Sequence, residues 1–315
     1  MGKRKDLFQS AGGFGMIKQY ARAHVLFYTV VMSMFIGFSH KSLEIVRLAV
    51  YNKILKRLRK KYKQEILKFV KDYDMDLPRR QSRIVWFFWM QGIDKAPQIV
   101  KKCYSSLIAN MPEREIRLLT VDNYKEYVKF PEHVEKKFDQ GIISITHMSD
   151  LLRLELLNRY GGTWIDATVF CSGKNIPDYM MNSDLFVFQN LKPGLDGQCT
   201  CISSWFMSAC TNNPIIQLTL HLLYMYWDEY NFMVDYFLIH DFFQLSIEAY
   251  PDEWNKVMPF SNSTPHVLLL RLFEKYNDDL WSEMKRQTAF HKISYKWDQA
   301  YMTKKGTYYD VIFNS

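Results

Sequence analysis

The chain has 315 residues with 48% hydrophobic and 16% aromatic side chains, which excludes a disordered protein and allows one sizeable core. Its net charge of +8 is unevenly placed, because residues 1–71 hold 16 Lys or Arg against three acids, whereas the remainder is mildly acidic. The five cysteines have no disulfide-framework or zinc-site spacing, which favours reduced thiols.

Residues 1–78 are predicted to form a basic helical arm that associates with a membrane. The apolar stretch 25–38 has 14 residues, short of the ~20 that cross a bilayer, so it is either an interfacial helix or a buried one. Residues 52–73 place apolar side chains at helical spacing among lysines and arginines, which is typical of a helix on an anionic membrane surface. A helix that packs its apolar side on the body remains an alternative. Nucleic-acid binding ranks lower, since no reading motif accompanies the charge.

The catalytic body is predicted over residues 79–315, as a sheet in which strands alternate with helices. The apolar run 83–90 is typical of a buried parallel strand, and residues 115–121 and 185–189 predict two more strands. Helices are predicted over 97–110, from 122, and over 214–230, 235–249 and 265–276. This order indicates a mixed α/β sandwich of the nucleotide-binding type with a helical C-terminal part.

The segment 147–170, HMSDLLRLELLNRYGGTWIDATVF, is predicted to be a helix, a Gly-Gly stop and a strand. Ser149 is the expected N-cap, and Asp150 suits the positive N-terminal end of the helix. Period-2 alternation places Trp164, Asp166 and Thr168 on one face of the strand. A carboxylate among apolar neighbours is costly unless it is paired, hydrogen-bonded or bound to a metal, and this singles out Asp166.

The string SDLLR…YGGxWxDAT resembles glycosyltransferases that contain a DxD sugar-binding motif, and in particular the bacterial capsular-polysaccharide-synthesis group. More distant similarity extends to eukaryotic mannosyl- and galactosyltransferases and to the clostridial glucosylating toxins. The similarity covers roughly residues 83–297. It implies a GT-A-like fold that follows the N-terminal basic arm.

The resemblance implies that Asp166 binds the donor through a divalent metal, Mn²⁺ or Mg²⁺, which stabilises the departing diphosphate. This chain departs from the pattern at Thr168, which takes the place of the second acid and supplies an oxygen without charge. His291 is a candidate additional ligand, with a structural role as the alternative. A metal is therefore expected but not secured.

The resemblance also assigns donor-binding roles to Ser149, Asp150 and Arg153, whereas the residue pattern alone allows an ion pair within the helix. Trp164 and Thr168 share the donor-facing side with Asp166.

Trp89 follows the first strand, where ligands lie in open α/β sheets, and resembles a tryptophan that stacks on uracil; core packing is its alternative. Asp235, with His240 and Asp241, resembles a capsular-group signature (DYFLxH). The resemblance assigns Asp235 a role in acceptor binding or catalysis, and helix capping is the alternative. The loop 192–198 is expected to close over the donor.

These features predict a membrane-associated, bacterial-type glycosyltransferase at the cytoplasmic face of the plasma membrane. It would transfer a hexose from a nucleotide sugar, a uridine diphosphate sugar by preference, to a lipid-linked saccharide of a capsule or exopolysaccharide. The resemblance implies retention of configuration, by front-face attack or double displacement. Two alternatives are a toxin-like transferase that modifies a protein and a non-catalytic membrane scaffold with the same fold. No nucleic-acid partner is expected.

Overall fold

A five-stranded mixed sheet lies at the centre of the protein in a computed structural model, which describes residues 13–191 and 200–314. The described strands are β1 (Ile84–Phe88), β2 (Glu115–Leu119), β3 (Gly162–Ile165), β4 (Val169–Cys171), β5 (Leu185–Gln189), β6 (Ile202–Ala209) and β7 (Phe290–Lys292). The large sheet has the order β2-β1-β3-β6-β5, while β4 and β7 form a separate antiparallel pair. β1 runs parallel to β2 and β3, whereas β6 runs antiparallel to β3 and β5.

Helices cover both faces of the sheet and extend N-terminally from it. They are α1 (Gly13–Arg22), α2 (Leu26–Ile36), α3 (His40–Asp72), α4 (Gln98–Asn110), α5 (Tyr124–Tyr127), α6 (Glu132–Asp139), α7 (Ile145–Tyr160), α8 (Asp178–Asn182), α9 (Pro214–Glu229), α10 (Leu238–Ala249), α11 (Pro251–Trp254), α12 (Val267–Arg271), α13 (Asp278–Gln287), α14 (Gln299–Met302) and α15 (Tyr308–Phe313). The mixed α/β architecture agrees with the sequence prediction. The predicted loop 192–198 lies outside the described residues.

The helix α7 begins earlier than its sequence predicts. Ser144, not Ser149, is the N-cap, and its side chain accepts from the backbone N–H of His147. The helix ends at Gly161 and Gly162, which have φ of +65° and +94°. A Cβ on Gly162 would meet the carbonyl oxygen of Ile84 at 2.4 Å, so only glycine allows this close approach of β3 to β1.

The N-terminal helices pack on the body and share its apolar core. The long helix α3 buries one side against α9 and α10, with Tyr62 edge-on to Phe242 at a ring-centroid distance of 5.2 Å. Arg59 pairs with Glu248 at 2.8 and 2.7 Å. The basic helix α3 therefore packs its apolar side on the body, as the sequence allowed as an alternative. Within the described ranges, no helix combines the length and the apolar character required to cross a membrane.

Two predicted C-terminal helices differ from the structure. Asp235 precedes α10 rather than lying in it, because its Oδ1 accepts from the backbone N–H of Phe237 and forms a local turn. The predicted helix 265–276 is reduced to a 3₁₀ turn (Thr264–His266) and α12, after which the chain bends.

Candidate active site

The candidate site lies at the carboxyl-terminal edge of the parallel strands. Because β1 and β3 run in parallel and in register from Val85 opposite Thr163, Trp89 and Asp166 follow their strands at the same edge of the sheet. A crevice at this edge is where open α/β sheets bind ligands. Residues 166–168 form a turn between β3 and β4, so Asp166 sits at the end of the strand rather than within it.

Three side chains contact the carboxylate of Asp166. Trp164 Nε1 donates to its Oδ1 at 2.9 Å, and Lys292 Nζ donates to its Oδ2 at 3.0 Å. Lys292 also donates to Thr168 Oγ1 at 2.6 Å, which joins the two oxygen-bearing residues of the segment. Arg153 Nη2 lies 3.4 Å from Asp166 Oδ1. The polar groups of Trp164, Asp166 and Thr168 thus lie close together, but the predicted strand ends at Ile165 and a turn, not strand alternation, places Asp166 and Thr168.

The electrostatics keep Asp166 ionised. Burial raises the pKa of its carboxyl, but the charges of Lys292 and Arg153 and the hydrogen bond from Trp164 outweigh burial, so the pKa lies below its usual value. The side chain of Asp166 remains 27% exposed and that of Lys292 19% exposed. Both charged groups therefore keep part of their surface open to solvent.

Arg153 is a positioning residue in this arrangement, because it is 4% exposed and its donors are already engaged. Its guanidinium donates to the carbonyl of Ser204, pairs with Asp150 Oδ1 at 3.1 Å and stands over the Trp164 ring at 5.0 Å. The predicted Asp150–Arg153 pair is thus present on α7. It reaches Asp166 rather than open solvent, which fixes the orientation of that carboxylate.

A buried histidine that the sequence did not single out continues this network. His147 Nε2 accepts from Trp227 Nε1 at 2.8 Å, and its Nδ1 lies 3.3 Å from Asp150 Oδ2. The predicted residue Ser149 lies beside Arg153, whose Nε donates to its carbonyl at 3.3 Å. Polar side chains of α7 therefore form a connected set of contacts next to Asp166.

The side chains present around Asp166 do not fit a metal site. The ammonium of Lys292 already lies between the oxygens of Asp166 and Thr168, where a second cation would be repelled. Across residues 13–191 and 200–314, no three His, Cys, Asp or Glu side chains are grouped so as to hold an ion.

The structure does not bring His291 to Asp166. His291 precedes Lys292 on β7, and alternation along a strand turns its ring to the opposite side. There its Nε2 lies 2.9 Å from Ser172 Oγ, and its ring lies 5.0 Å from that of Trp281. Burial lowers the pKa of His291 to about 3, so the imidazole is neutral. This placement corresponds to the structural alternative for His291.

Trp89 follows β1 at the same edge of the sheet, where it is half-buried and packs against the core on one face. Its ring meets that of Tyr295 edge-on at 5.3 Å, and its buried Nε1 has no hydrogen-bond partner among the described residues. Trp86 is fully buried and donates to the carbonyl of Gly161 at 2.9 Å, as expected for the core tryptophan.

Asp235 lies in a second polar cluster and is not among the contacts of Asp166. It is 2% exposed and is electrostatically coupled to the buried Asp241 at the start of α10. Burial raises the pKa of both carboxyls, and the charge of Asp235 raises that of Asp241 further. The bond from the backbone N–H of Phe237 to Asp235 closes a local turn before α10 and does not cap that helix, whose N-cap is Phe237.

Lys292 is the principal residue that sequence reasoning missed. The segment FHKISYKW drew attention to His291, but the pairing of β7 with β4, in which Val169 lies opposite Lys292, decides which side chain faces Asp166. A strand assignment for residues 290–292 would have provided the signal, since neighbouring residues then face opposite sides.

Comparisons with known proteins agree with this description. The family model described as "Capsular polysaccharide synthesis protein" matches residues 36–312. The O-glycosyltransferase braB of Annulohypoxylon truncatum is 28% identical over 169 residues, which cover 48% of this chain and 39% of the relative. The chain therefore spans about two fifths of the length of that curated relative. A solved structure, the PaToxG glycosyltransferase, aligns with 84% of this chain and 98% of its own at 15% identity and a TM-score of 0.39. The chain belongs to the capsular polysaccharide synthesis protein family.

Proposed function

We propose that this chain is a glycosyltransferase that moves a hexose from a nucleotide sugar, by preference a uridine diphosphate sugar, to a saccharide of a capsule or exopolysaccharide. The observation that carries the proposal is the partly exposed ion pair of Asp166 and Lys292 at the end of β3, beside Thr168. Family membership and the glycosyltransferase relative support the reaction class.

The transfer breaks the bond between the anomeric carbon of the sugar and a phosphate oxygen, and a nucleoside diphosphate departs. The acceptor hydroxyl forms the new bond to that carbon and loses its proton. Negative charge grows on the diphosphate, so the site must offer positive charge or hydrogen-bond donors. Retention of configuration, which the resemblance implies, belongs to the same proposal.

Lys292 and Thr168 are suited to that task. An ammonium has three N–H groups, and Asp166 and Thr168 accept two of them, which leaves a third for a phosphate oxygen. Thr168 accepts from Lys292, so its own hydroxyl proton is free to donate. Asp166 holds the ammonium in place and can accept from a sugar hydroxyl. Trp89 and Tyr295, at the same edge, offer aromatic surface to a nucleobase.

A metal remains an expectation of the resemblance rather than a part of this mechanism. A divalent ion held by Asp166 would supply positive charge to the departing diphosphate. The ammonium of Lys292 supplies one positive charge at the corresponding oxygens here. We therefore assign the neutralisation of leaving-group charge to Lys292.

We also propose that the N-terminal helices attach the protein to an anionic membrane surface, from which a lipid-linked acceptor would be reached. Phe27, Val30, Met34 and Phe35 follow one another at i, i+3, i+7 and i+8 on α2 and are 50–86% exposed. A continuous apolar helix face of this kind, within a segment rich in Lys and Arg, is typical of interfacial helices.

A donor screen tests the enzymatic proposal. Purified protein is incubated with uridine, guanosine and cytidine diphosphate sugars, and release of the nucleoside diphosphate is measured. Hydrolysis of at least one sugar nucleotide is expected, with loss of turnover in Asp166→Asn. A well-folded protein that releases no diphosphate from any donor would favour the non-catalytic scaffold.

A further inference from the structure

A cavity of about 250 Å³ lies between the N-terminal helix α3 and the start of α10. Leu48 and Tyr51 of α3 form one wall, and Asp235, His240 and Asp241 form the opposite one. The N-terminal helices therefore contribute directly to an internal cavity of the body, in addition to covering its core.

The cavity contains polar atoms without partners. Asp241 is 1% exposed, and neither its Oδ2 nor Nδ1 of His240 has a hydrogen-bond partner in the described part of the chain. Buried polar atoms of this kind cost free energy until they are paired. A ligand with hydroxyl groups in the cavity would satisfy both.

The lining offers the hydrogen-bonding groups that a sugar ring requires. Burial raises the pKa of Asp235 and Asp241, so this pair holds a proton more readily than exposed carboxyls do, and its oxygens can accept hydrogen bonds from hydroxyl groups. The amide of Asn262 adds further donors and acceptors, while Tyr51 and Phe237 supply aromatic surface for the apolar face of a ring.

The cavity adjoins the donor site. Ser203 lines it, and the carbonyl of the next residue, Ser204, accepts from Arg153. Burial lowers the pKa of His240 to about 4, and the charges of Asp150, Arg153 and Asp166 also act on that ring. The two clusters are thus electrostatic neighbours.

We propose that this cavity binds a hexose ring of one of the two substrates of the transfer, with α3 as part of its wall. The inference rests on the proposed function for the identity of those substrates. The ring belongs either to the donor sugar or to the saccharide acceptor, and both present the same hydroxyl chemistry.

Saturation-transfer NMR with free glucose, galactose, mannose and N-acetylglucosamine tests binding without requiring turnover. We expect transfer to at least one of these sugars and at least fivefold less in Leu48→Trp, which places a large ring at the cavity mouth. Leu48 is 45% exposed, so the variant is expected to fold. Tyr51→Phe is a second variant that removes only a hydroxyl. Leu270→Trp, at a site that is 78% exposed, is the matched control.

Steady-state kinetics then identify the source of the ring. A raised KM for the nucleotide sugar in Leu48→Trp would assign the cavity to the donor, and a raised KM for the saccharide would assign it to the acceptor. Equal sugar signals in wild type and Leu48→Trp, or no signal in wild type, would overturn the inference. Sugar binding without any donor hydrolysis would refute the proposed function while leaving the cavity assignment in place.

Discussion

Replacement of Lys292 by Met tests the assignment of leaving-group stabilisation most sharply. The substitution keeps the length of the side chain and removes the charge that donates to Asp166 at 3.0 Å and to Thr168 at 2.6 Å. Loss of one donor to a charge that develops in the transition state lowers kcat by about 10²–10³-fold. We expect a loss of this size in diphosphate release. The loss of the ion pair is expected to lower the free energy of unfolding by only about 1–3 kcal/mol.

The assay measures diphosphate release from the donor that the screen identifies, with and without a chelator. Lys292→Arg keeps the charge and is expected to retain more activity than Lys292→Met. Lys125→Met, which removes an exposed cation elsewhere, is the control. Wild-type turnover is expected to persist in the chelator. A folded Lys292→Met protein within threefold of wild type, or wild-type turnover that vanishes on chelation and returns with Mn²⁺, would refute the assignment.

Three further predictions concern the membrane face, the buried carboxyls and the N-terminal packing. Phe35→Ser, at a side chain that is 86% exposed, is expected to weaken flotation with phosphatidylglycerol vesicles about tenfold, whereas Leu270→Ser is not. Because the pKa values of Asp235 and Asp241 are raised in the folded protein, the free energy of unfolding of the wild type is expected to fall as the pH rises from about 4 to 6 and above. Asp241→Asn should therefore gain Tm over wild type at pH 8 but not at pH 4. Ile54→Ala is expected to cost about 2–5 kcal/mol in a single thermal transition.

Each of these has a contradicting result. Equal flotation of the Phe35 and Leu270 variants would contradict the proposal that α2 contacts the membrane. If the Tm difference between Asp241→Asn and wild type does not change with pH, ionisation of the buried Asp235–Asp241 pair does not destabilise the fold. A Tm unchanged by the Ile54 substitution would show that α3 unfolds separately from the body.

Local patterns in the sequence predicted both edge strands of the large sheet, but not β6, which lies inside it. The strand at residues 185–189 is apolar in its first four positions and has the predicted bounds, and the first two strands lie within their predicted ranges. β6 was not predicted, because its serines interrupt the apolar run and its stability comes from pairing with β3 and β5. Long-range pairing of this kind leaves no local signal.

In the candidate site, too, the residues that lie close together in sequence were predicted and those that long-range pairing brings together were not. Asp166, Arg153 and Asp150 lie close together in sequence and carry a recognisable pattern, and the structure joins them in one network. Lys292 is 126 residues from Asp166, and only the pairing of β4 with β7 brings the two together. The cavity at Asp241 likewise depends on the packing of α3 against α10, which the sequence left as one of several alternatives.

The packing of the N-terminal helices also changes how the arm should be tested. Because α3 contributes Leu48 and Tyr51 to the cavity, deletion of residues 1–71 would remove a wall of the body together with any membrane contact. Single exposed substitutions on α2 separate the two effects.

The most direct measurement of the central claim is a crystal structure of the protein with uridine diphosphate. The account predicts diphosphate oxygens within hydrogen-bond distance of Lys292 Nζ and Thr168 Oγ1, with the uracil against Trp89. A nucleotide bound elsewhere, with the Asp166–Lys292 pair closed and untouched, would contradict it.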